Sequence, residues 1–295
     1  MKKTLLAMAV LAASGASFAQ SSVTLYGVAD LGIAKTTGQS AEMVGNSTAN
    51  NGSGRFGLRG TEDLGGGLKA GFNYEAGINA EDGSIGTKMF ARAANITLSG
   101  GFGEIRLGRS LSLGFNAVAA YELTGTANYS IIGNTFGFNN GTRNDSEIRY
   151  TSPEMGGFQA GIGYIMKPDN GGAAKLDLGA TYKNGPIAAG VAYTKTQGAE
   201  KAWLLGGSYD FGMAKVAAGY YDPQGDSKGF SAGVSAPFGP VTATLDVARD
   251  TGLKSTNVLV EGKYALSKRT FTYAAVQRFG AAKVTTTSVG LRHNF

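Results

Sequence analysis

Leu176-Asp-Leu-Gly-Ala-Thr-Tyr-Lys-Asn-Gly-Pro-Ile-Ala-Ala-Gly-Val-Ala-Tyr193 reads as two strands and the turn between them. Leu176, Leu178, Ala180 and Tyr182 alternate with Asp177, Gly179 and Thr181. Lys183-Asn184-Gly185-Pro186 then breaks the run, and Ile187, Ala189, Val191 and Tyr193 resume it. A period of two puts an apolar row on one face and small or polar residues on the other. The same alternation runs through Phe158, Ala160, Ile162 and Tyr164, and through Val241, Ala243, Leu245 and Val247. It ends the chain, where Val289, Leu291, His293 and Phe295 oppose Ser288, Gly290, Arg292 and Asn294. The pattern predicts sixteen strands, from 22–35 to 283–295, with the fourth over 88–99. All six prolines fall in connections or at strand ends, where a missing N–H is tolerated.

The connections are of two kinds. Asp63-Leu64-Gly65-Gly66-Gly67 and Asp210-Phe211-Gly212-Met213 are tight, whereas 36–53, 79–87 and 111–142 are long and mostly polar. Short turns on one rim and long loops on the other are the pattern of an outer-membrane barrel. A soluble β-sandwich also alternates, but its apolar face is a core, and here the second face is thick with Gly, Ser and Thr, as if it lined water. Tyr26, Tyr164, Tyr182, Tyr193, Tyr209 and Tyr264 near strand ends suit an aromatic girdle. An even, closed set of strands leaves no unpaired backbone in hydrocarbon. The expected fold is all-β: a 16-stranded antiparallel transmembrane barrel.

Composition agrees. Glycine makes up 47 of 295 residues, more than twice its usual share of ~7 %, with no G-X-Y period. Cysteine is absent, and His293 is the single histidine, which removes disulfides, thiolate metal sites and most Ser-His or Cys-His chemistry. No metal or cofactor is expected. Lys2 and Lys3, the apolar run 5–13 and Ser17-Phe18-Ala19 form a secretory signal over 1–19, with cleavage between Ala19 and Gln20 and a barrel domain over 20–295. Cleavage removes two of the 27 basic residues and none of the 21 acidic ones, a surplus too diffuse to suggest nucleic acid.

Four longer segments stand out: Ser22-Val-Thr-Leu-Tyr-Gly-Val-Ala-Asp30, Arg55-Phe-Gly-Leu-Arg-Gly-Thr-Glu-Asp-Leu-Gly65, Leu98-Ser-Gly-Gly-Phe-Gly-Glu-Ile-Arg-Leu-Gly-Arg109 and Val289-Gly-Leu-Arg-His-Asn-Phe295. On these the chain resembles the general porins of Gram-negative outer membranes, in the subfamily typical of β-proteobacteria. The resemblance implies a homotrimer in the bacterial outer membrane, passing ions and small hydrophilic solutes passively. It also implies contact with outer-membrane lipid and lipopolysaccharide, and insertion by a barrel-assembly machinery that reads Gly290, His293 and Phe295 as a terminal signal. The alternative within this class is a substrate-specific channel for small anionic nutrients.

The connection 110–142 holds one charge, Glu122, among Leu111, Leu113, Phe115, Val118, Ile131, Ile132, Phe136 and Phe138. Such a loop is expected to leave water, fold into the barrel and narrow it, as the third loop of the family does. Arg55 and Arg59 share one strand face, and Arg143, Asp145, Glu147 and Arg149 share another. By motif position, Arg55, Arg92 and Arg143 match the arginine cluster at the constriction of anion-preferring relatives. Glu122 and Glu75 are expected to face that cluster, and Arg59, Asp145, Glu147 and Arg149 to be further lumen charges. If Arg92 points inward within a strand, Ala91, Ala93, Asn95 and Thr97 point outward. That poor lipid surface suggests, with Gly27 and Ala29, the contact with another barrel; a bulge that shifts the parity is the other explanation.

Other motifs carry less. Gly52-Ser-Gly-Arg-Phe-Gly57 satisfies G-x-G-x-x-G without a βαβ context, and Glu81-Asp82 reads as a solvated loop. An outer-membrane enzyme would need acid–base groups clustered at a rim, so no enzymatic activity is expected. Trimmed outer loops argue against an adhesive barrel.

Overall fold

The computed structural model describes residues 22–139 and 141–295, so the expected signal and its Ala19–Gln20 cleavage point lie outside the described residues. The strands are β1 (Ser22–Thr36), β2 (Glu42–Val44), β3 (Arg55–Gly65), β4 (Leu68–Gly77), β5 (Ala93–Gly100), β6 (Gly103–Leu111), β7 (Arg143–Thr151) and β8 (Phe158–Ile165). They continue as β9 (Lys175–Asn184), β10 (Ile187–Thr196), β11 (Lys201–Asp210), β12 (Lys215–Asp222), β13 (Gly229–Phe238), β14 (Val241–Asp250), β15 (Ser255–Ala265), β16 (Thr270–Phe279) and β17 (Val284–Asn294). Sixteen of them pair antiparallel with their chain neighbours to make the wall. The three-residue β2 pairs with the upper end of β1, above the stretch that pairs with β3. The barrel closes where β1 meets β17, from Val28 opposite Asn294 to Thr36 opposite Thr286. Two backbone hydrogen bonds between Gly27 and Phe295 complete the seam.

The alternation sorts residues between two solvents. On β11, Leu205 is 53 % exposed on the outer face, while its neighbour Leu204 is buried inside. Val191, Val260, Val289 and Leu291 are likewise exposed outward, and nearly every strand contributes such residues. Each buried apolar Å² is worth ~25 cal/mol, so this continuous exposed band is stable only against hydrocarbon. Aromatic pairs mark both rims: Trp203 stacks on Tyr220 at 5.2 Å near the long-loop end, and Tyr209 meets Phe211 at 4.6 Å near a tight turn. Tyr26 departs from the expected girdle, because its hydroxyl donates inward to Asn73 at 2.9 Å and Glu75 at 3.0 Å.

Three connections at one rim are long: L1 (37–54), L2 (78–92) and L3 (112–142). L3 carries α1 (Leu113–Ala119) and α2 (Ile131–Phe136) and lies inside the barrel. Its Ala117, Val118, Tyr121, Tyr129, Ile131, Ile132 and Phe136 join inward residues of the wall, among them Leu204, Tyr221 and Leu259, in the main buried apolar cluster. The core of this protein is therefore the contact between a loop and half of its own barrel.

Two expected faces are corrected by local register changes. The fourth wall strand begins at Ala93 and not at 88. Ala93 and Asn95 are buried on the lumen side, while Ile96 and Leu98 are exposed outside. The small outward surface expected from Ala91, Ala93, Asn95 and Thr97 is thus absent, because Arg92 precedes the regular alternation. The second change lies where β6 and β7 slip register between Gly108 and Ser110, with Ser146 at φ 49°. Such a bulge turns successive side chains off the regular faces. Asp145 there pairs with Arg109 and Lys88, apart from Glu147 and Arg149.

Candidate functional site

Caps and glycines set the position of L3. The Ser112 hydroxyl accepts from the Phe115 N–H at 3.0 Å and so caps α1. The helix lies so close to the wall that a Cβ on Gly190 would sit 2.0 Å from the Ala117 carbonyl oxygen. A Cβ on Gly206 would meet the Tyr121 ring at 2.2 Å. Glycine on the lumen face of β10 and β11 is therefore a space requirement.

Buried polar groups pin the same loop. Asp177 accepts from the Leu113 N–H at 3.0 Å, from Asn144 at 2.8 Å and from the Thr194 hydroxyl at 2.9 Å. Glu147 and Arg149 pair with each other, and Arg149 donates to the Leu111 carbonyl at 2.6 Å. Across the lumen, the Tyr129 hydroxyl donates to Glu261, Gln277 donates to the Tyr129 carbonyl at 2.9 Å, and Lys263 donates to the Thr124 carbonyl at 2.6 Å. Burial, with the Glu261 carboxylate beside it, pushes the Tyr129 phenol above its ordinary range, so it stays a neutral donor.

The space that remains is a cavity of about 880 Å³ between L3, L1 and the wall of β3 to β7. Arg55, Arg92, Arg143, Arg106 and Arg292 line it, against one acidic side chain, Glu75. Arg92 donates to Glu75 at 2.6 Å, and the Arg55 Nε lies 3.9 Å from the same carboxylate. The Arg143 Nε donates to the Arg92 carbonyl at 2.8 Å, which fixes its guanidinium beside the other two. L3 contributes Phe115, Asn116, Asn128, Asn134 and Phe138 to the opposite side, so that side carries no charge.

The structure thus brings together Arg55, Arg92, Arg143 and Glu75, and separates Glu122 from them. Glu122 is buried within L3, where it accepts from the Thr124 N–H at 2.9 Å, the Thr124 hydroxyl at 2.5 Å and the Thr126 N–H at 2.6 Å. Those donors turn the carboxylate into the loop, so it does not face the arginines. Glu147 and Arg149 sit buried behind L3, Asp145 pairs with Arg109, and Arg59 lies toward the tight-turn rim. Asp82 accepts from the Ser84 N–H at 2.8 Å in an ordinary turn, and that bond holds its carboxyl below the usual range.

Arg292 and Arg106 were not singled out as site residues. The signal for Arg292 is its place opposite Leu291 and His293, which puts it on the lumen face with Gly290 and Asn294. At the chain end, Gly290 leaves room for the Tyr273 ring, and the His293 Nδ1 lies 2.8 Å from the Thr270 hydroxyl. The Phe295 ring covers Gly27, where a Cβ would meet it at 2.3 Å.

A closed sixteen-stranded wall, an inward third loop and an arginine-lined gap define a porin-type barrel. The chain matches the Gram-negative porin family over residues 5–282 and belongs to it. It is an outer-membrane protein. It is 41 % identical to outer membrane porin protein 32 of Delftia acidovorans over 216 residues, covering 66 % of this chain and 61 % of that protein. An outer membrane porin of Bordetella pertussis is 34 % identical over 230 residues, or 65 % of this chain and 59 % of its own. The chain thus spans about three fifths of the length of these curated relatives. Among solved structures, the anion-selective porin from Comamonas acidovorans superposes with a TM-score of 0.77 at 30 % identity, covering 94 % of this chain and all of that one.

Proposed function

We propose that the protein is a passive diffusion channel for ions and small hydrophilic solutes, with a modest preference for anions. The observation that carries this reading is the lining of the gap beside L3: five arginines against one glutamate. Guanidinium stays charged at any working pH, and its fork can pass carboxylates or phosphates along by paired hydrogen bonds. Rings of basic side chains are how pores favour anions. The anion-selective porin of Comamonas acidovorans supports the same assignment by its likeness.

The selective residues are Arg55, Arg92 and Arg143, joined by Arg292, with Glu75 as their counter-charge. The test is the reversal potential across a KCl gradient, for the native channel and for Arg55→Ala, Arg92→Ala and Arg143→Ala combined. The native channel is expected to favour chloride and the triple variant to lose most of that preference. A native channel favouring potassium, or an unchanged triple variant, overturns the assignment.

The channel works as a homotrimer in a membrane of lipid and lipopolysaccharide, as the family resemblance implies. Phe295, with His293 and Gly290, is the signal read by the barrel-assembly machinery. Burying one aromatic is worth only ~1.5–3 kcal/mol, so a strong assembly defect on deleting Phe295 points to recognition. Normal trimer yield from the truncated chain refutes it.

A further inference from the structure

Below the constriction, toward the tight-turn rim, the lumen wall holds a second hollow of about 390 Å³. Arg59 and Arg106 line it with the hydroxyls of Thr24, Thr61 and Thr97 and the carboxylate of Glu104. Arg59 stands opposite Thr24 as Arg55 stands opposite Val28. Four residues span about 13 Å along a strand, or about 10 Å along the pore axis at a strand tilt of ~40°. That is about one Debye length at 0.1 M salt, so an anion at one level is partly screened from the other.

The two arginines differ in what they have to spare. Arg106 is held by Glu104, with its Nε at 3.0 Å and its Nη2 at 2.8 Å from one carboxylate oxygen. It also lines the upper cavity, and so stands between the two levels. The Arg59 guanidinium lies 5.0 Å over the Tyr26 ring, and no ion pair among the described residues uses it. A cation on an aromatic face is oriented while its N–H edge stays free. Surrounding threonine hydroxyls add donors that turn to suit an oxygen ligand.

We propose that Arg59, with Arg106 and the threonines, forms a second anion station for small tetrahedral oxyanions of the phosphate type. It takes an ion released by the constriction and holds it before exit on the periplasmic side. Two guanidinium groups against one carboxylate make the station weak, which suits conduction: a site must bind well enough to fill and poorly enough to empty. The proposal rests on the anion-channel reading above and extends it to a further site.

The test is block of single-channel chloride current by inorganic phosphate, added to each side of a planar bilayer in turn. Phosphate on the tight-turn side is expected to block the native channel, and Arg59→Gln to raise the half-blocking concentration about tenfold, the scale of one lost charge-assisted contact. Arg59→Lys keeps the charge and is expected to restore most of the block, which separates a lost site from a misfolded barrel. Equal block in native and Arg59→Gln channels overturns the station, as does absence of block in the native channel. The KCl reversal potential, read on the same channels, distinguishes the two readings. A potassium-favouring native channel overturns the constriction filter, whereas the station is judged on whether phosphate block depends on Arg59.

Discussion

The two halves of this barrel use the same residue types for opposite ends. On the wall from β3 to β7, the guanidinium groups of Arg55, Arg92 and Arg143 border open space, and Glu75 pairs with the first two. On the wall from β9 to β16, Asp177 and Glu261 are buried and committed to holding L3, as are Glu147 and Arg149 on β7. A charge that faces water keeps its field available to a passing ion. A charge that fills its hydrogen bonds with a loop places that loop instead. On the proposed channel reading, selectivity and pore width are carried by different side chains, which adjoin on β7, and variants of one set should leave the other's property largely alone.

The strongest break of that division is Gly190→Val. The new side chain meets the Ala117 carbonyl, a backbone group in a capped helix. Overpacking costs ~1–3 kcal/mol where neighbours can shift, and here the simplest relief is displacement of L3. Single-channel conductance should rise and become noisy. Unchanged conductance would mean that the loop does not set the width.

Asp177→Ala acts on the same wall with a smaller effect. It leaves the Leu113 N–H without an acceptor, whereas the Asn144 amide keeps Glu147 and the Thr194 hydroxyl keeps the Asn139 carbonyl. An unsatisfied buried group costs ~1–3 kcal/mol, and water entering from the lumen offsets part of the total. The temperature at which the folded barrel unfolds in detergent should fall, while the sign of ion preference stays that of the native channel. A reversed preference would show that the two walls are not separable.

The alternation that reveals this fold is imposed by the surroundings. Hydrocarbon outside and water inside force a period of two on every strand, so the sixteen wall strands were legible one by one. L3 was legible for a similar reason, since eight apolar groups beside one charge cannot remain in water. Facing was legible only where no bulge intervened: Arg55 and Arg59 fall as their alternation says, whereas Asp145 does not, because the register slips beside Ser146. Arg92 lines the gap from the end of L2, a position that strand parity does not govern. Partners distant in sequence were not legible at all. Leu113 and Asp177 are 64 residues apart, and Tyr129 and Glu261 are 132 apart. Their meeting follows from where L3 comes to rest, not from any local pattern.

On the arginine wall, Glu75→Gln removes the carboxylate that Arg92, Arg55 and Tyr26 share. At ~6 Å in water a unit charge contributes ~0.7 kcal/mol to each ion, with opposite sign for anion and cation, so the partition of anions over cations changes by ~1.4 kcal/mol, a factor of about ten. Anion preference should therefore rise by about that factor at low salt. It should shrink toward the native value at 1 M, where the Debye length is ~3 Å. A fall in preference would mean that Glu75 orients the arginines more than it opposes them.

The smallest expected effect sharpens the comparison most. Glu122 and Glu75 are both carboxylates inside the lumen, but Glu122 is turned into L3 by the Thr124 and Thr126 donors and is absent from the lining of the gap. Glu122→Gln deletes the same unit of charge as Glu75→Gln and should leave the reversal potential within error of the native channel. Stability should also move little: the amide keeps an acceptor oxygen and is only a weaker acceptor for its three loop donors, a loss of about 1 kcal/mol. If Glu122→Gln shifts the reversal potential as far as Glu75→Gln does, the field in the gap is set by the lumen's total charge. The distinction between facing and buried carboxylates then fails. If only Glu75→Gln shifts it, selectivity depends on which side chains line the gap rather than on how many charges the barrel encloses.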